Sequence, residues 1–148
     1  MKLDLTTGDA ITPREIEYTY PCIFTKEDIK IMAYPLETIL AEKFETIIRR
    51  NITTTRMRDF YDIYTLYKLK KDEINYEILK EAVERTSDKR GSQEIIKDYE
   101  EIIEDIKEDS YLKSLWEVYL SENKYIGDLT FDKVVGVVTI LSNRINEL

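Results

Sequence analysis

From Pro35 to the C terminus the apolar residues recur at helical spacing, whereas the first 34 residues alternate. At about 100° per residue, Leu36, Ile39, Leu40 and Ile47 fall on one stripe of a first helix. Met57, Phe60, Tyr61, Tyr64 and Tyr67 form a broad aromatic face on a second, with Thr55 as its N-cap. Asn75 is expected to cap a third helix through Thr86, carrying Ile78, Leu79, Ala82 and Val83. Ser92 opens a longer stripe of Ile95, Ile96, Tyr99, Ile102, Ile103 and Ile106, and the acidic run Asp98 to Asp109 opposite it reads as a solvated face. Tyr111, Leu112, Leu115, Trp116 and Tyr119 mark a further helix in which Trp116 is core rather than a stacking platform. The valines after Thr130 would also suit a buried strand. The Thr130 cap, Asp132 and the spacing of Leu141, Ile145 and Leu148 favour a helix. The expected joints are Ser87–Ser92 and Asn123–Leu129.

Upstream, Leu3 and Leu5 alternate with Lys2, Asp4 and Thr6, and Thr7-Gly8-Asp9 is turn chemistry. Ile16, Tyr18 and Tyr20 then alternate with Glu15 and Glu17, and Ile29, Ile31 and Ala33 form a third period-two run. The predicted class is α+β and predominantly α: a small β segment over 1–34, then a helical domain over 35–148 of about five to six helices. The chain has 148 residues, 43% of them hydrophobic, enough for one sizeable core.

Charge and composition narrow the chemistry. A formal charge of -8 argues against a broad nonspecific grip on nucleic acid, which needs a surplus of lysine and arginine. The chain has no histidine and one cysteine, Cys22, which excludes a Ser-His-Asp triad, a Cys-His pair and a structural zinc site built within it. A lone cysteine and the absence of a signal-peptide pattern point to a cytoplasmic protein, and no run approaches the ~20 apolar residues of a membrane span. Carboxylates, Lys, Arg, Tyr, Ser and Thr remain, suited to phosphate and hard-metal chemistry or to none.

Within the first apolar stripe stands Lys43, with Arg50 at its edge one turn on, while Thr38, Glu42, Glu45 and Thr46 are read as facing water. A lysine among apolar residues costs several kcal/mol unless an acid or a bound anion meets it. Asp59 and Asp62 on the second helix are the available acids, because a connection of about five residues forces the two helices to pack together. Such a cluster serves equally as a core ion network or as a site. Arg49, Arg50, Arg56 and Arg58 crowd the same turn, and phosphate contact and structural pairing both suit them. Asp4 is unusual inside a strand, where an acid can block unwanted edge pairing.

Leu36-Glu-Thr-Ile-Leu-Ala-Glu-Lys-Phe-Glu-Thr-Ile-Ile-Arg-Arg50, followed by Thr55-Arg-Met-Arg-Asp-Phe-Tyr-Asp-Ile-Tyr64, resembles the later motifs of the AbiEii/AbiGii nucleotidyltransferase toxins. Residues 2–18, Lys-Leu-Asp-Leu-Thr-Thr-Gly-Asp-Ala-Ile-Thr-Pro-Arg-Glu-Ile-Glu-Tyr, resemble the strand and turn just upstream in that family. The resemblance covers roughly residues 1 to 70 in collinear order and is looser beyond. It implies toxins of type IV toxin–antitoxin and phage-defence systems, related to DNA polymerase β-like enzymes, that bind a nucleoside triphosphate with Mg²⁺ and transfer a nucleotidyl group to an acceptor such as RNA. Lys43 would then meet the triphosphate, Asp59 or Asp62 would orient it or take the acceptor proton, Arg50 and Arg58 would contact phosphate, and Asp4 would bind metal.

One element of that pattern is missing. Gly8, Gly91, Gly127 and Gly136 are the only glycines, and none leads into the D-x-D pair that holds the metal ions in this family. Glu15-Ile16-Glu17 is a near-miss that reads better as the solvent face of a strand. The expectation is therefore a C-terminal portion of such an enzyme, inactive alone, with a remnant of the palm sheet at its start. Its expected partners are an antitoxin, a nucleotide, an RNA acceptor and a second copy joined through an open sheet edge, but no membrane. The alternative is a non-enzymatic helical binding or regulatory module with a structural Lys–Asp network.

Overall fold

The computed structural model describes residues 16–21, 28–33 and 35–148, and it is predominantly helical. Strands β1 (Ile16–Pro21) and β2 (Asp28–Ala33) pair antiparallel, with Ile16, Tyr18 and Tyr20 opposite Ala33, Ile31 and Ile29. The strand expected over Lys2–Thr6, with Asp4 and Asp9, lies outside the described residues.

Seven α-helices follow among the described residues: α1 (Leu36–Arg50), α2 (Met57–Lys70), α3 (Tyr76–Arg90), α4 (Gln93–Lys97), α5 (Tyr99–Glu108), α6 (Ser110–Glu122) and α7 (Phe131–Asn146). Three of the helix starts are capped by short polar side chains. Asn75 accepts from the Ile78 amide at 3.1 Å, Asp109 from Leu112 at 2.8 Å and Thr130 from Lys133 at 3.3 Å. The valine-rich terminal segment is thus helical, as its cap predicts.

Four expectations about helix bounds and caps need correction. The single stripe from Ser92 is two helices, because the chain bends at Asp98. The Ser92 side chain caps neither; it is buried and engaged elsewhere. The third helix runs on to Arg90, four residues past Thr86, and stops where Gly91 takes the left-handed conformation at φ 69°. Thr55 does not cap α2. Its neighbour Thr54 is the buried threonine, and the Thr54 hydroxyl accepts from the Arg56 amide at 3.1 Å.

α1 is central, packed chiefly on α3 and also on α2, while α7 closes the opposite side against α2, α3 and α5. Its buried residues, Leu40, Ala41, Phe44, Glu45, Ile47 and Ile48 among them, occupy more of its circumference than an amphipathic surface helix would. Thr38, Glu45 and Thr46 are therefore buried rather than water-facing. Leu36, Ile39 and Lys43 lie on the less buried flank. On α2 the core residues are Met57, Phe60, Ile63 and Leu66, joined by Asp59, and the tyrosines flank them half-buried. Leu69 is exposed. Trp116 is fully buried, donating its indole N–H to the Leu129 carbonyl at 2.8 Å, beside Phe131 and Phe60.

Candidate functional site

The turn between α1 and α2 creates the site. α1 ends at Asn51, whose φ of 50° and ψ of -137° reverse the chain in a region that side-chain-bearing residues seldom occupy. Asn51–Thr53 form one 3-10 turn, and the Thr53 hydroxyl donates to the Arg50 carbonyl. α2 then runs back along α1, setting its first two turns beside Lys43.

Lys43 Nζ lies 3.1 Å from Asp59 Oδ1 and 3.2 Å from Asp62 Oδ2. One ammonium thus bridges two carboxylates that stand three residues apart on one helix. Asp59 is nearly sealed, at 3% exposure, while Lys43 and Asp62 are each 18% exposed. Arg56 Nε sits 3.2 Å from Asp59 Oδ2, and Arg58 Nε 3.7 Å from Asp62 Oδ2. Both guanidiniums are more than half exposed. Three cations therefore face two anions, leaving a net charge of +1 on the group, which suits an incoming phosphate. Arg50 makes no ion pair with this group among the described residues. It lies on the same flank of α1 seven residues on, and its Nε is buried without a hydrogen-bond partner among the described residues.

The structure thus unites Lys43, Asp59, Asp62 and Arg58, leaves Arg50 adjacent along the helix, and leaves Asp4 undescribed. No group of three or more Asp, Glu or Cys side chains that would hold a metal ion occurs among the described residues. A cleft of about 410 Å³ lies between α3, α4–α5 and α7, lined by Phe44, Val83, Ile96, Tyr99 and Ile145; Lys43, Asp59 and Asp62 are not among its lining residues.

Two features escaped the sequence reading. The first is a sealed ion network at Glu45, fully buried. Its Oε1 accepts from Arg49 Nε at 2.8 Å and the Ser92 hydroxyl at 2.9 Å, and its Oε2 from Arg90 Nη1 at 2.7 Å. Arg90 also donates to the Thr46 hydroxyl at 3.1 Å. The apolar residues of α1, spread over about 200° of its circumference at 100° per residue, were the available sign that this helix is buried on most sides. The second is a row of rings beside Asp62. Trp116 stacks on Tyr119 at 5.4 Å, Tyr119 meets Tyr61 at 6.3 Å, and Tyr61 meets Tyr125 edge-on at 6.3 Å. Burial raises the Tyr119 phenol above its ordinary value of 10.0, helped by Tyr125 and Asp62 and opposed by Arg58. The row therefore lies within electrostatic reach of the charged cluster.

The sequence model of the nucleotidyl transferase AbiEii toxin, type IV toxin–antitoxin system, matches residues 1–137, and the chain belongs to that family. No curated protein and no solved structure matches it. No described helix is long and apolar enough to cross a membrane.

Proposed function

We propose that the Lys43 cluster is the phosphate-facing part of a nucleotidyl-transfer site, using a nucleoside triphosphate and an acceptor such as RNA. The observation that carries this is a lysine held by two carboxylates at 3.1 and 3.2 Å on a partly open edge, flanked by two exposed guanidiniums, in a member of this toxin family. Lys43 contributes a point charge to the triphosphate. Asp59, nearly sealed, fixes the ammonium. Asp62 is the better candidate to accept the acceptor's proton, being more exposed. Arg58, and Arg50 beyond it, are candidate phosphate contacts. The β1–β2 pair, which precedes the helical unit over 35–148 in the chain, would be a remnant of the palm sheet. An antitoxin is the partner expected from membership of a toxin–antitoxin family.

The described carboxylates do not converge into a site for magnesium, and Asp4 is the candidate ligand. With no D-x-D pair in these 148 residues, the chain alone is expected to bind nucleotide but transfer little.

A non-enzymatic module is the second reading, favoured by the fact that Lys43, Arg56 and Arg58 all have internal acidic partners. Calorimetric titration with nucleoside triphosphates separates the two. Binding that drops at least about tenfold in Lys43→Met supports the site, since losing one phosphate contact from a cation costs of this order. No binding, or binding indifferent to Lys43, leaves the structural network. Labelled triphosphate incubated with magnesium and total RNA checks transfer: robust incorporation that Lys43→Ala abolishes would overturn the expected inactivity.

A further inference from the structure

We propose that the tyrosines beside the cluster are a stacking wall for the bases of an unpaired RNA strand, which places the acceptor along α2 and the turn after α6. This rests on the nucleotidyl-transfer reading above and names its acceptor side.

The row of rings runs from core to surface. Trp116 anchors it, fully buried, and Tyr119 and Tyr61 are half-buried. Tyr125, on the 3-10 turn Lys124–Ile126, is 76% exposed. An outward tyrosine contributes little to folding, yet the packed rings behind it hold it ready to stack. Cations lie on the same elements: Arg58, 61% exposed, is on α2 with Tyr61, and Lys124 is exposed on the same turn as Tyr125.

Aromatic faces interleaved with cations are the composition that grips single strands, because every base has a π face and every linkage a phosphate. A duplex hides its base faces, so the strand must be unpaired. The net charge of -8 restricts contact to this local patch. Ribose is favoured over deoxyribose because Asp62, 18% exposed and next to Tyr61 in the chain, offers an acceptor to a 2′-hydroxyl.

The test is fluorescence anisotropy of a labelled unpaired oligoribonucleotide of six residues with the full chain at low salt. Tyr125→Ala should weaken binding about tenfold, and Tyr125→Phe should stay within about twofold, since the ring and not the hydroxyl stacks. An abasic strand of equal charge should bind weakly and ignore Tyr125→Ala. The proposal is overturned if the wild type binds no RNA, if the abasic strand binds as well, if Tyr125→Ala changes nothing, or if the matching DNA binds as tightly. Lys43-dependent triphosphate binding without Tyr125-dependent RNA binding would sink this wall and leave the nucleotide site standing. The converse result would sink the nucleotide site while keeping a single-strand binding surface.

Discussion

Lys43 and Glu45 stand two residues apart on α1 and about 160° apart around it, and each is a charge among apolar neighbours. Their surroundings differ completely. Glu45 is fully buried and receives three hydrogen bonds, from Arg49, Arg90 and Ser92, that tie α1 to the end of α3 and the start of α4. Lys43 bridges two aspartates, but its flank is partly open, and the outer arginines reach solvent. A sealed charge held by three internal hydrogen bonds serves to hold structure. A charge that is itself partly exposed, with one partner, Asp62, exposed to the same 18%, can exchange that partner for a ligand. Accessibility, not charge, separates the fastening from the candidate site.

The largest effect should come from breaking the sealed network. Glu45→Ala removes the acceptor shared by Arg49, Arg90 and the buried Ser92 hydroxyl. At about 1.5–3 kcal/mol for each bond to a charged group, discounted for the partly exposed arginines, the loss is about 3–5 kcal/mol. For a chain of this size that is a fall in melting temperature of about 6–20 °C. Ser92→Ala, removing one donor to the same carboxylate, should cost about 1–2 kcal/mol. Thermal unfolding followed by circular dichroism measures both. A Glu45→Ala protein as stable as wild type would mean that the network is incidental and the contrast empty.

Next comes Lys43→Met. Asp59 keeps Arg56 as a partner, so the loss should be smaller than for Glu45→Ala, about 1–3 kcal/mol. Lys43→Met combined with Asp59→Asn should recover part of it, because no carboxylate is then left nearly sealed beside an apolar side chain. Denaturant titration of the two variants decides. If Lys43→Met equals Glu45→Ala in cost, the open cluster is as structural as the closed one. If it unfolds near the wild-type midpoint yet loses nucleoside triphosphate binding, the nucleotide role gains.

The two clusters were not equally legible. Lys43 declares itself because a lysine in an apolar stripe needs an acid, and Asp59 and Asp62 arrive across a turn short enough to leave few alternatives. Glu45 gives no such sign. Its main partners come from Arg90 and Ser92, more than forty positions later, and at that range spacing carries no information. Ser92 illustrates the same limit. Its position before an apolar run reads as a helix cap, but tertiary packing turns the hydroxyl to Glu45 instead. Local capping at Asn75, Asp109 and Thr130 involves partners three residues away, and two of those three caps, Asn75 and Thr130, were predicted. The break at Asp98 was hidden because isoleucines continue in helical phase on both sides. The tyrosine row drew its members from three elements, so the sequence showed its α2 part only as a broad aromatic face.

The smallest stability effect should be at Arg58, and it sharpens the comparison most. Its guanidinium lies 3.7 Å from Asp62 and is 61% exposed, so the pair is long, solvated and screened. Exposed pairs of this kind contribute about 0–1 kcal/mol, and Arg58→Ala should leave unfolding almost unchanged. Binding should respond differently. If Arg58 touches phosphate, Arg58→Ala weakens the RNA strand roughly equally whatever its bases, and lowers the salt dependence by about 0.7 in log–log slope, the value of one contact on a single strand. Tyr125→Ala should weaken binding with that slope intact, because a lost stack releases no counterion. Anisotropy titrations over a series of salt concentrations read both quantities. Equal slopes for wild type and Arg58→Ala would show that this arginine serves Asp62 alone, and would move the open cluster toward the purely structural role that Glu45 has.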